Sequence, residues 1–68
     1  MLWFDNDKST SLKQKIYTAM DYYQKKYGQV ATTCHIHPSM MTKENFPLKV
    51  KKDFMILKNH FWLGVEEG

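Results

Sequence analysis

Sixty-eight residues make a single domain, 1–68, whose small core leaves a thin stability margin. A 43% hydrophobic content excludes a disordered tail, and no apolar run approaches the roughly 20 residues that span a bilayer. The net charge of +3 comes from ten lysines against seven acids, and the absence of arginine removes the bidentate fork that reads guanine edges.

The opening MLWF offers either a short edge strand or an apolar plug. Asp5 and Asp7 stand where a signal peptide would carry a basic and then a long apolar region. The single cysteine, Cys34, cannot form an internal disulfide and fits a reducing compartment. The expectation is a soluble, cytoplasmic protein with no membrane partner.

Residues 9–27 follow a helical period. Leu12, Ile16, Ala19, Met20, Tyr23 and Tyr27 fall on one face, with Gln14, Thr18, Asp21 and Lys25 opposite. Ser9, Thr10 and Ser11 are all N-cap candidates, Ser11 and Gln14 having capping-box spacing, and Asp7 suits the positive end of the helix. Lys25 and Lys26 suit the other end, where Gly28 fits a left-handed stop. Lys13 and Lys15 decorate the surface. Tyr17 and Tyr22 flank the apolar stripe as rim residues.

Beyond Gly28 the period changes to two. Val30, Thr32, Cys34 and Ile36 share one face, with Ala31, Thr33, His35 and His37 on the other. Pro38 ends this strand, and residues 39–45 form a loop. Phe46, Leu48 and Val50 then alternate with Lys49 and Lys51, which predicts a half-wet strand. A three-residue turn over Lys51, Lys52 and Asp53 would set Val50 opposite Phe54 and Leu48 opposite Ile56. Residues 54–57, apolar on both faces, read as a central strand. Lys58 and Asn59 read as a break or marked bend before a further strand over 60–65, the alternative being a bulge in one long strand, and Glu66 and Glu67 form a solvated tail. The predicted fold class is α+β in two layers: one N-terminal amphipathic helix on a three- or four-stranded antiparallel sheet, in the order α-β-β-β.

The cluster TTCHIHP concentrates the chemistry-bearing residues. Cys34 and His37 cannot share a metal in an extended strand, because residues three apart face oppositely. His35 and His37 can, and with His60 they would make a three-histidine metal set with an open position. Against this, Cys34 on the apolar face behaves as a small buried hydrophobe, and no carboxylate within the strand orients the imidazoles. A Cys-His nucleophile pair fails on the same geometry, since neighbouring strand residues point apart. No glycine-rich phosphate loop is present, so no cofactor and no small-molecule substrate are expected.

Lys49, Lys51, Lys52 and Lys58 gather around the proposed hairpin. Together with Trp62, His35 and His37 they describe a weak, lysine-driven nucleic-acid surface. The leading expectation is a non-catalytic interaction module that meets a protein partner, or a second copy, through an apolar patch or sheet edge. Its contact residues would be Met40, Met41, Phe61 and Trp62.

Overall fold

The computed structural model describes residues 1–66. Strand β1 (Leu2–Phe4) precedes helix α1 (Leu12–Tyr27), followed by β2 (Thr33–Ile36), β3 (Lys49–Lys52) and β4 (His60–Gly64). The strands form one sheet in the order β1-β4-β2-β3, and α1 covers one face of it. The result is the two-layer α+β architecture, with MLWF supplying an edge strand ahead of the helix.

Helix α1 starts where its cap allows. Ser11 Oγ accepts the Gln14 N–H at 3.1 Å, satisfying one of the amides that the first turn leaves open. The Asp7 carboxylate accepts from the Ser9 N–H and from the Ser9 and Thr10 hydroxyls. Those bonds favour the charged form and hold Asp7 down to about 2. At the far end Gly28 takes φ 71° and its N–H donates to the Gln24 carbonyl, a turn only glycine makes without strain.

Leu12, Ile16, Ala19 and Tyr23 pack against Ala31, Cys34, Ile36, Phe61 and Leu63 to form the core. Lys15 is not a surface residue. Its stem is buried beside this stripe, and its ammonium donates to the Asp5 carbonyl at 3.4 Å. A lysine can cover apolar surface with its methylenes while its charge finds an oxygen. Tyr27, the last residue of the predicted stripe, is half-exposed, and its ring packs at a tilt on Tyr23.

The β2 alternation begins later than the sequence pattern indicates. Cys34 and Ile36 face the helix as expected, but Val30 is exposed and Ala31 and Thr33 are buried. Residues 29–32 are the irregular descent from the helix, so period-two counting holds only from Thr33 onward.

Pairing at β3 corrects the predicted hairpin. Strand β3 runs parallel to β2, with Cys34 beside Val50 and His35 beside Lys51, while β1–β4 and β2–β4 are antiparallel. The sheet is therefore mixed, and residues 54–57 are not a strand. Two demands decide this. The segment 37–48 carries Met40, Met41, Phe46 and Leu48 across the core's margin before β3 begins, which is the long crossover that parallel neighbours require. Phe61 and Leu63 must then reach the slot between β1 and β2 to be buried, so the chain crosses over β2 directly after β3. Residues 53–59 are consumed by that crossing and cannot also pair. The break at Lys58 and Asn59 is present as expected, with Asn59 at φ 65°, a conformation asparagine tolerates better than most residues.

Candidate interaction face

The sheet has one face covered by α1 and one left open. Register places Leu2, Trp62, His35 and Lys51 in a row across the open face, with Phe4 beside His60 on one flank. Adjacent strand residues point to opposite sides, so Phe61 and Trp62 cannot both serve a surface. Phe61 is fully buried against the helix, whereas Trp62 is 39% exposed. Phe61 is thus a core residue and leaves the predicted contact set. Met40 and Met41 are partly buried and pack against the core on the helix side, so they do not join Trp62 in one patch.

The three histidines are held apart by separate partners. His35 Nδ1 donates to Asp53 Oδ2 at 3.0 Å, and its ring meets Trp62 edge-on at 5.2 Å. His37 Nδ1 accepts the Ser39 N–H at 3.1 Å and lies 2.7 Å from the Ser39 hydroxyl, capping the 3-10 turn Pro38–Met40. The His60 ring nitrogen bonds the Lys58 carbonyl, and the ring packs on Phe4. Among the described residues no three His, Cys, Asp or Glu side chains stand together as a metal site. Burial pushes the Cys34 thiol up to about 12, so at neutral pH it is neither thiolate nucleophile nor thiolate ligand.

The lysines are divided as well. Lys51 donates to Glu66 at 2.8 Å and Lys49 lies 3.8 Å from the same carboxylate. These lysines hold the Glu66 carboxyl below its usual range. Glu66 is therefore tied to the sheet rather than a solvated tail, and Glu67 lies outside the described residues. Lys52 and Lys58 are exposed and make no ion pair among the described residues.

What the sequence pattern missed is the connection 53–59. Two tight turns build it. Asp53 N–H donates to the Ile36 carbonyl at 2.7 Å, extending the β2–β3 ladder. Its carboxylate then accepts the Met55 N–H at 2.9 Å while its carbonyl accepts from Ile56 at 3.1 Å. The His60 N–H closes the second turn on the Leu57 carbonyl at 3.1 Å. Ile56 alone turns inward, half-buried, into the groove floored by His35 and Trp62. The others project: Phe54 is 83%, Met55 87% and Leu57 70% exposed. Met55 and Leu57 wall a groove against Leu2, His60 and Trp62, and the exposed rings and chains of Leu2 and Phe4 continue the apolar surface onto β1. The signal was present in Asp53, an acid suited to bonding the amide two residues on, and in the absence of alternation over 54–57.

Comparison of the chain with protein-family models, with curated proteins and with solved structures finds no match.

Proposed function

We propose that the protein is a small, non-catalytic interaction module whose working surface is the open sheet face and the connection 53–59. One observation carries the reading. Phe54, Met55 and Leu57, the three most exposed large apolar side chains of the described residues, lie within four consecutive positions, and Met55 and Leu57 line one groove with Leu2, His60 and Trp62. Single exposed hydrophobes are ordinary, but a contiguous group of this kind marks a contact surface. A buried, protonated thiol and separately engaged histidines support the non-catalytic part. Glu66 offsets one of the two charges of Lys49 and Lys51, which weakens a lysine stripe for nucleic acid. A free cysteine supports a reducing, cytoplasmic setting.

The test is a triple variant, Phe54→Ser, Met55→Ser and Leu57→Ser. A surface kept apolar for contact gains nothing in folding from these side chains. The variant should melt at or above the wild-type temperature while losing the native-state binding of a hydrophobic dye such as ANS. A large fall in melting temperature would assign these residues to stability instead and sink the reading.

A further inference from the structure

The connection 53–59 presents its apolar side chains to solvent. Phe54, Met55 and Leu57 are largely exposed, Met55 and Leu57 along the groove shared with Leu2, His60 and Trp62, while Ile56 is half-buried. Part of its backbone is paired. The amides of Asp53, Met55 and Ile56 donate to the Ile36 carbonyl, the Asp53 carboxylate and the Asp53 carbonyl, which lowers the cost of taking those groups out of water. Its single acid, Asp53, has its carboxylate engaged by the His35 ring and the Met55 amide. Lysines stand at both ends: exposed Lys52 before it and exposed Lys58 after it.

Apolar tips flanked by lysines match the cross-section of a lipid surface, with acyl chains below and anionic headgroups above. Lysine, a hydrated point charge on a flexible stem, needs no fixed phosphate geometry to serve there. The chain has no helix long and apolar enough to cross a membrane among its described residues, which bears on spanning and not on surface docking. Resting on the interaction reading above, we infer that the partner is an anionic bilayer surface, entered by Phe54, Met55 and Leu57 and held by Lys52 and Lys58.

Co-sedimentation with vesicles tests this, using phosphatidylcholine alone and an equimolar mixture with phosphatidylglycerol. The wild-type protein should bind the anionic mixture, bind phosphatidylcholine weakly, and lose affinity as salt rises. The triple serine variant should lose binding by more than about a hundredfold. Lys52→Gln with Lys58→Gln should cost roughly 25-fold, about fivefold for each charge near the surface. Trp62, which walls the same groove, should be quenched by brominated lipid, and the quenching should fall in Trp62→Phe. Failure of the wild-type protein to bind the anionic vesicles overturns the inference, as does a serine variant that binds equally well. If vesicles fail but native dye binding persists and sedimentation velocity shows a dimer, the lipid assignment is wrong and a second copy covers the face. If dye binding is absent too, the interaction reading falls with it.

Discussion

Segments 46–50 and 54–57 carry similar apolar residues and lie close together in sequence, yet they have opposite fates. Phe46, Leu48 and Val50 are partly buried and pack against the core, while Phe54, Met55 and Leu57 stand in solvent. Composition does not separate them; the available edges do. Strand β2 has two edges. One takes β3 in parallel, the other takes β4. The first segment leads into a pairing strand, and the second is the bridge that lets β4 reach its place. Apolar residues on a bridge are left over from the folding problem, which is why they are free to serve another purpose.

The comparison breaks hardest at the residue the bridge exists to deliver. Phe61 is fully buried between sheet and helix, so Phe61→Ala leaves a cavity as well as lost contacts. The expected cost is about 3–5 kcal/mol, a large part of a small domain's stability, read by urea unfolding. A change below about 1 kcal/mol would mean that delivering β4 is not what fixes the path of 53–59.

Much of the helix layer was legible in the sequence because its signals are local. Ser11 as cap, Gly28 as stop and the 12-16-19-23 stripe each depend on neighbours within a few positions. The β4 break at Asn59 was legible for the same reason. Parallel pairing of β2 with β3 was not, because an alternating strand reads alike in either direction and nothing local names its partner. The site inherits that limit. Trp62 reads as a surface residue in the sequence, and Phe61 beside it looks like a partner in the same patch until the strand's alternation separates the two. Phe54, Met55 and Leu57 read as a strand because an apolar run looks buried until the topology shows that this part of the chain is spent crossing from β3 to β4.

Asp53 is the hinge between the two segments, ending one and shaping the other. The His35 hydrogen bond, followed by the Met55 N–H, holds its carboxyl below the usual range. A carboxyl with a lowered folded-state pKa contributes stability that is fully present above its unfolded value of about 3.9 and is lost as pH falls through the folded value. Asp53→Asn should therefore melt below the wild-type temperature at neutral pH, and the two melting curves should converge on acidification. Other carboxylates titrate alike in both proteins and cancel in the difference. A gap that stays constant from neutral pH to well below about 3.9 would mean that the charge of Asp53 does not hold the turn.

The smallest expected effect is the most discriminating. Phe46→Ala should cost roughly 1–3 kcal/mol, less than a full core truncation because the ring is only partly buried. Phe54→Ala removes the same atoms from a side chain that is 83% exposed and touches His37 at a ring distance of 5.9 Å. It should change stability by no more than about 0.5 kcal/mol. Equal costs at the two positions would place Phe54 in contacts it does not make here, and the exposed tip would then be ordinary core. Unequal costs in the stated order leave Phe54 with no part in holding the fold. That outcome is what the proposed contact surface requires of Phe54.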